Sequence, residues 1–405
     1  MGLSHFDLAI VALYLIGITL FGLHFRKGER SLKSYFLADN TVPWWAISLS
    51  IVAAETSTLT IISIPGLAYD KNFGFLQLVI GYLIGRVVIC FILLPQYFKG
   101  HLFTAYQLID RRFGHRLHKF TAGVFLLTRA AAEGVRVYAV AIIIGIALGF
   151  TPTLHGDIAA IGIITALTLV YTFEGGLTAV IWTDVVQMAI YMAGTAIGLA
   201  TILHLIPGGW TALHATASAA GKFHVWNFSL NPAQPYTIFA GLIGGAFLTT
   251  ASHGTDQLMV QRLLAAKSQA ESRLALLSSG IFVLMQFSFF LLVGAGLFVL
   301  YHGAKFTTTS DRIFPTFIVS RMPHGISGLL IAAILAAAMS NLSAALNSLS
   351  STSVIDFYAH MFPGSSDKSR VWISRWLTIV WGVVLFGLAI LSRGGGRVVE
   401  VGLAI

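Results

Sequence analysis

The 405-residue sequence has one cysteine and few charged residues. Because Cys90 has no second thiol to pair with in the chain, an intrachain disulfide framework and a thiolate metal site are both excluded. Charged residues make up 10% of the chain and hydrophobic residues 56%, and the mean hydropathy is +0.82. A soluble surface and a buried core cannot both be built from this composition. We therefore predict a polytopic, all-α membrane protein.

The sequence also lacks the usual signatures of enzymes. We find no phosphate-binding loop, no cluster of metal ligands and no nucleophile beside a base, since the glycine run at 394–396 is not followed by GKS or GKT. No Pro/Ser-rich linker or low-complexity tract divides the chain, so we expect one domain without enzymatic activity. The net charge of +9 is attributed to membrane topology and anionic lipid, and no nucleic-acid partner is expected.

Apolar segments long enough to cross about 30 Å of hydrocarbon recur along the whole chain. We predict ten spans, at about 5–25, 42–69, 74–99, 118–150, 155–173, 177–206, 236–260, 273–302, 325–358 and 369–392. Only the 206–235 loop is long. An apolar run begins again at the C-terminal residues, and we expect an eleventh span to start near Val398 and to be mostly missing.

The distribution of basic residues predicts the orientation of these spans. No Lys or Arg precedes the first span, whereas Arg26, Lys27, Arg30 and Lys33 follow it. Of the 25 Lys and Arg residues, fifteen fall in loops on that side, seven in loops on the other side and three within spans. Positive loops stay in the cytoplasm, so we expect an external N-terminus and a multi-pass protein of the bacterial inner membrane.

Two of the predicted spans are interrupted by polar residues at bilayer depth. Residues 44–66 contain Ser48, Ser50 and Glu55 before Pro65-Gly66, and residues 331–358 contain a run from Ser340 to Ser343. Hydrocarbon offers no hydrogen bonds, so polar groups persist there only around a cavity or a bound ion. This pattern favours transport.

Three motifs carry a resemblance to a known family: the stretch 175–187, which contains Gly175-Gly176 and Trp182-Thr183-Asp184; the stretch 254–267; and the stretch 337–343. Together the three stretches resemble the sodium:solute symporter family, which includes sodium-coupled glucose, proline, sialic acid and pantothenate carriers. The resemblance implies two inverted five-helix repeats after one extra N-terminal helix, as in the leucine transporter. Residues 1–41 would be the extra helix and loop, 42–206 the first repeat and 236–405 the second, short of its last helix.

The resemblance also implies a sodium site. The positions that match it are Ala53, Thr56, Ala337, Ser340 and Asn341. Residues three and four apart share a helix face, and sodium prefers neutral oxygens such as unwound carbonyls and hydroxyls. Asn341 replaces the hydroxyl that family members usually carry. The alternative is that the serines only bond back to carbonyls one turn earlier.

Some members of the family bind a second sodium. The matching positions here are Asp184 and Ser343, but Ala344 replaces the second hydroxyl. We therefore expect one sodium per transport cycle.

Intramembrane charges leave the substrate open. Glu55 can attract a cation, bond a hydroxyl or amine of the solute, or neutralise Arg86. If Arg86 is free, its guanidinium would select a carboxylate. Thr249, Ser252 and His253 are further candidates for the substrate pocket, although Ser252 replaces an aromatic gate of the sugar carriers. His253 is either a pH-sensitive gate or an ordinary hydrogen-bond donor.

Three more intramembrane charges lie at helical spacing. Arg129 and Glu133 either pair along one helix face or form a gate, and Arg136 shares that face. We expect Asp256 to bond backbone or Arg262 at the cytoplasmic end of its span. Because the arginines exceed the acids that obviously neutralise them, we favour a monocarboxylate or an amino-acid-like solute.

The sequence therefore predicts sodium-coupled symport of a small polar solute. A transporter-like sensor domain of a larger signalling protein is the alternative from another class, and an uncoupled solute channel is a third. Which solute is carried, and in what oligomeric state, is not encoded in any motif we identify.

Overall fold

A computed structural model of the chain describes residues 3–25, 31–99, 102–148, 154–231, 234, 236–306 and 310–392. These residues form helices and connecting segments, with one isolated bridge between Val42 and Ala266. The helices are α1 (His5–His24), α2 (Leu32–Leu37), α3 (Trp44–Glu55), α4 (Thr58–Asp70), α5 (Leu76–Val88), α6 (Leu94–Phe98), α7 (Tyr106–Phe113), α8 (His115–Leu148), α9 (Leu154–Leu205), α10 (Gly209–Ala219), α11 (Gly245–Gly254), α12 (Gln257–Leu264), α13 (Gln269–Leu300), α14 (Ile313–Arg321), α15 (Ile326–Thr352), α16 (Ala359–Met361) and α17 (Asp367–Leu391).

Helices occupy each of the ten predicted spans. Among the described residues, six helices are long and apolar enough to cross a membrane, and α3 with α4 forms a seventh span bent by 67°. The predicted 206–235 loop contains α10, which sequence reasoning missed. The expected eleventh span near Val398 lies outside the described residues. The two repeat boundaries stay predictions.

Three π-helical turns extend these helices. Residues Ile89–Leu93 join α5 to α6, Ala240–Gly244 precede α11, and Ser353–Tyr358 join α15 to α16. In α9 the chain kinks at Gly176, whose φ of +51° is a conformation that side chains with a Cβ rarely adopt. This bend within one long helix separates the spans predicted at 155–173 and 177–206.

Helix α15 lies at the centre of the bundle. In the span that contains it, 94% of the most apolar window is buried, compared with 22% for α1. Its sequence is rich in Ala and Ser, and small side chains allow neighbouring helices to approach closely in a membrane protein. Polar residues on α15 are thereby placed where several other helices reach them.

Helices α5 and α11 approach each other backbone to backbone through glycines. A Cβ on Gly245 would lie 2.5 Å from the carbonyl oxygen of Leu78, and one on Gly85 would lie 2.6 Å from that of Ala246. Neither oxygen can move away without breaking its own helix. The two helices therefore depend on glycine at this contact.

Candidate functional site

The first predicted break lies between α3 and α4. Ser57 caps α4 because its hydroxyl accepts from the Thr60 N–H at 3.2 Å, while its own N–H donates to Thr60 Oγ1 at 3.3 Å. That N–H would otherwise be the helical partner of the Ala53 carbonyl. Thr56, between the helices, is extended. Carbonyl oxygens at the end of α3 are therefore free of the usual helical bonds inside the bundle.

Asn341 of α15 reaches this break. Its Nδ2 donates to the Thr56 carbonyl at 2.7 Å and to the Ala337 carbonyl at 3.0 Å. Both oxygens therefore face one point beside the amide. The Oδ1 atom of Asn341 is buried and has no hydrogen-bond partner. The amide must present its nitrogen to two carbonyl acceptors, which leaves its oxygen unsatisfied.

The oxygens gathered here are of the type that an alkali cation binds. They are neutral carbonyl, hydroxyl and amide oxygens, and an orphaned buried acceptor such as Asn341 Oδ1 costs free energy unless a cation or donor meets it. A half-turn of the amide about its terminal torsion would exchange Nδ2 for Oδ1 between the two carbonyls. The arrangement therefore fits sodium, with Ala53 fully buried on the last turn of α3.

Ser340 points toward a different acceptor. Its hydroxyl donates to Asp184 Oδ1 at 2.6 Å. The donated proton leaves the lone pairs of Ser340 Oγ available, so this bond is compatible with a cation ligand. Ser343 instead bonds back to the Ser340 carbonyl at 2.9 Å, as the alternative for these serines predicts.

Asp184, the candidate for a second ion, is neutralised by a guanidinium. Arg262 Nη2 lies 3.0 Å from Asp184 Oδ2, and Ser50 donates to the same oxygen at 2.6 Å. Asp184 and Arg262 are buried, at 0% and 1% exposure. Of the two partners expected for Asp256, Arg262 therefore pairs with Asp184 instead. The Asp184–Arg262 pair was not predicted because the two residues are far apart in sequence and α9 and α12 meet only in the folded bundle.

Asp256 pairs with α8 instead. Its carboxylate accepts from Arg129, and its other oxygen accepts from the Leu258 N–H at 2.8 Å as the N-cap of α12. The predicted Arg129–Glu133 pair is present at 3.1 Å, and Arg136 also donates to Glu133 at 2.6 Å. The α8 face thus forms a charged row opposite the break between α11 and α12.

Glu55 lies on the other side of the break between α11 and α12. Arg86 Nη2 donates to Glu55 Oε2 at 2.5 Å, and His253 Nε2 lies 3.3 Å from both atoms. Ser252 Oγ is 2.9 Å from His253 Nδ1. The structure therefore brings four substrate candidates together. Thr249 is buried and packs against Gly85 of α5.

All three guanidinium nitrogens of Arg86 have hydrogen-bond partners. It is completely buried, and its remaining nitrogens donate to Ser279 Oγ at 3.3 Å and to the Tyr82 carbonyl at 3.4 Å. Of the roles open for Glu55, neutralisation of Arg86 is the one that the geometry supports. A free Arg86 selecting a carboxylate is excluded by this pairing.

The Glu55–Arg86 pair gives a first testable prediction. We expect Glu55→Gln to lower the free energy of unfolding by about 2–4 kcal/mol, because a buried guanidinium would lose its counter-ion while keeping one hydrogen bond. Thermal unfolding in detergent measures the change. Asp39→Asn, at an exposed position with positive φ that Asn also tolerates, is the matched control and should change little. Equal stability of the two variants would contradict the assignment.

One contributor to the site, Gln286, was missed from sequence, and another, Ser50, was noted only as a polar residue of the interrupted span. Gln286 of α13 donates to Thr56 Oγ1 at 2.7 Å, and Ser50 of α3 bridges Asp184 and Arg262. Gln286 is an amide within an otherwise apolar span, and that isolation was the available signal. Ser50 lies one turn before Ala53, on the same helix face.

A cavity is present away from this site. It has a volume of about 630 Å³ and lies at the end of α4 against the 220–236 segment, where Lys71, Asn72, Lys222 and Tyr236 line it. Lys222 donates to the Tyr69 carbonyl at 2.5 Å, and burial lowers the pKa of its ammonium group. This cavity lies on the side predicted to face outward.

Comparison with known proteins places these features in context. A sequence profile of the sodium:solute symporter family matches residues 35–404. The sodium/sialic acid symporter SiaT of Proteus mirabilis is 30% identical over 93% of this chain and 76% of its own length. The human sodium-coupled monocarboxylate transporter 1 is 27% identical over 93% of this chain, which spans only 62% of that relative.

A solved structure shows the same architecture. The structure of a Na⁺-coupled sialic acid symporter, in a substrate-bound outward-open state, superposes with a TM-score of 0.87 at 28% identity, covering 97% of this chain and 82% of that one. The predicted all-α, leucine-transporter-like fold is therefore confirmed.

Proposed function

This chain belongs to the sodium:solute symporter family, and from that premise we propose that it carries a small organic acid together with one sodium ion across the bacterial inner membrane. The sensor alternative has no support, because the named relatives are symporters. The ion gradient supplies the energy: the membrane potential contributes about 2.3 kcal/mol per charge per 100 mV.

The contact of Asn341 with the Thr56 and Ala337 carbonyls carries this proposal. An ion that replaces the amide nitrogen at this point would join the α3–α4 break to α15. The bound ion would then stabilise the conformation in which the α3–α4 break and α15 are in contact. By linkage, a solute bound beside them and the ion would strengthen each other's binding by the same factor.

The predicted excess of intramembrane arginines over the acids that neutralise them, which first suggested an acidic solute, is wrong. Each intramembrane arginine has an acidic partner: Arg86 pairs with Glu55, Arg262 with Asp184, Arg129 with Asp256 and Glu133, and Arg136 with Glu133. No excess of positive charge therefore draws in a carboxylate. The proposal rests on a different observation.

Arg136 has the most exposed side chain of these arginines. Its side chain is 32% exposed, compared with 13% for Arg129, and it shares the Glu133 carboxylate with that residue. A partly exposed guanidinium matches the fork of a carboxylate. The named substrates of the relatives, sialic acid and monocarboxylates, are organic acids. We assign Arg136 to the carboxylate of the solute.

Thermal-shift screening of the purified chain tests the function. We expect stabilisation by an organic acid such as lactate, pyruvate or sialic acid in sodium chloride and none by the same acid in potassium chloride, because sodium and solute bind cooperatively. Glucose serves as the neutral comparison. Stabilisation by glucose instead, or equal stabilisation in potassium, would overturn the proposal.

We expect Arg136→Gln to weaken binding of the stabilising acid roughly ten- to a hundredfold, since a hydrogen bond to a charged group contributes about 1.5–3 kcal/mol. The apparent dissociation constant in the sodium-dependent thermal shift measures this loss. Arg321→Gln, at the exposed end of α14, is the matched control and should bind normally. Unchanged affinity in Arg136→Gln would remove Arg136 from the substrate site.

A further inference from the structure

A second group of ionisable side chains lies where α7, α8 and α16 meet, away from the sodium and solute candidates. Asp110 of α7, His115 and His118 of α8 and His360 of α16 each offer one ligand atom, and these atoms lie within 4.8 Å of one another. We predicted no metal-ligand cluster from the sequence. That prediction is wrong, because His360 is distant in the chain and joins the others only through folding.

His118 is held in a defined tautomer by a buried carboxylate. Its Nε2 lies 2.7 Å from Asp356 Oδ1, which also accepts from Thr104 Oγ1 at 2.7 Å. All three side chains are fully buried. The ring nitrogen that faces a carboxylate carries the proton, so Nδ1 of neutral His118 carries a lone pair.

That lone pair points into the cluster. His118 Nδ1 is buried, has no hydrogen-bond partner and lies 3.8 Å from Asp110 Oδ1. An unsatisfied buried nitrogen costs free energy unless something binds it. A histidine whose second nitrogen is held by a carboxylate is the usual arrangement of a metal ligand.

The other two histidines complete the set. His360 Nδ1 lies 3.1 Å from the Ile355 carbonyl, which can only accept, so this nitrogen carries the proton and Nε2 is the acceptor. His360 Nε2 is 3.9 Å from Asp110 Oδ2, and His115 Nδ1 is 3.5 Å from Asp110 Oδ1. Three imidazole nitrogens and one carboxylate therefore converge.

We propose that Asp110, His115, His118 and His360 form a binding site for a divalent transition metal of the zinc type. Zinc binds histidine nitrogen and carboxylate oxygen at about 2.0–2.2 Å in a tetrahedron, which sets neighbouring ligand atoms about 3.3–3.6 Å apart. Of the separations from Asp110, 3.5 Å for His115 lies within this range, and 3.8 Å for His118 and 3.9 Å for His360 lie above it, while the four ligand atoms as a set lie within 4.8 Å of one another. Small side-chain rotations close that difference.

The ligand types also select the metal. Imidazole suits zinc, copper and nickel, whereas magnesium and calcium prefer oxygen ligands. The side chains of His115, Asp110 and His360 are 44%, 33% and 27% exposed, so an ion can reach the site from the side predicted to face the cytoplasm. Bound metal would tie α16 to α7 and α8.

Metal titration of the purified full-length chain, with any affinity tag removed, tests this site. Zn²⁺ is titrated against a competing chromophoric chelator, and we expect one high-affinity ion per chain. Co²⁺ should give the intense visible absorption of a tetrahedral complex. Mg²⁺ at the same concentration should not compete. Failure to bind zinc at one ion per chain would overturn the proposal.

Variants distinguish this site from the other histidines of the chain. His115→Ala and His360→Ala remove partly exposed ligands, so these proteins should fold, and each should weaken zinc binding at least tenfold and abolish the cobalt spectrum. Asp356→Asn, which weakens the support of His118 without removing a ligand, should weaken zinc roughly 10- to 100-fold. His204→Ala, at an exposed position on α9, should bind normally. Equal affinity in His115→Ala, His360→Ala and His204→Ala would refute the site.

Discussion

Asp184→Ala is expected to destabilise the protein by about 3–5 kcal/mol, the typical cost of removing one partner from a buried ion pair. The variant leaves the Arg262 guanidinium buried without its counter-ion. It also removes the acceptor of the Ser50 and Ser340 hydroxyls. Thermal unfolding of the detergent-solubilised protein measures the loss, which is the largest that we expect from any single change.

A paired replacement separates the buried charge from the packing. Arg262→Met alone should be about as destabilising as Asp184→Ala, because it leaves the Asp184 carboxylate unpaired. Asp184→Leu combined with Arg262→Met should recover much of the loss, since buried ion pairs are often replaceable by apolar side chains of similar volume. If either single variant is as stable as the parent chain, the pair is not structurally important.

The second large effect concerns the sodium dependence. We expect Asn341→Leu to raise the sodium concentration for half-maximal activation at least a hundredfold, about 2.7 kcal/mol, because leucine has a similar size and no ligand atom. Asn341→Ser keeps an oxygen and should lose less than tenfold. Ser340→Ala should lose roughly tenfold with little change in folding, as only one hydroxyl is deleted. Sodium titration of solute-induced thermal stabilisation measures each value.

Ser343→Ala is the matched control for these variants. Its hydroxyl bonds back to the Ser340 carbonyl, so its removal should leave sodium activation unchanged. A loss comparable to that of Ser340→Ala would instead require Ser343 as a ligand and a second ion near Asp184. Unchanged sodium dependence in Asn341→Leu would remove the α15 site from the mechanism.

The fold was predictable because its signals are local. Most spans are continuous apolar runs, and the polar residues up to Glu55 predicted an interruption, which the structure places between Glu55 and Thr58, whereas Pro65 lies inside α4. The α9 bend follows from Gly175-Gly176. Short helices such as α10 were missed because 11 residues inside a loop carry no periodicity long enough to recognise.

Partnerships between distant helices were predictable where the family resemblance supplied them, or where one intramembrane charge required another, as for Glu55 and Arg86. Because Ala337 and Asn341 match the family's sodium site, the sequence predicted that α15 contacts the α3–α4 break. By contrast, Arg262 was expected as a possible partner of Asp256, which is close to it in sequence, and only folding reveals that Asp184 neutralises it. The orientation of the Asn341 amide likewise depends on which carbonyls face it.

The glycine contact between α5 and α11 constrains how the molecule can change shape. Since Gly85 and Gly245 leave no gap between the two backbones, these helices cannot slide or tilt apart without opening a void in the bilayer interior. Arg86 on α5 and His253 on α11 then move together. Any hinge of the transport cycle must therefore lie outside α5 and α11. A bulky residue at either glycine would force the two helices apart and slow transport.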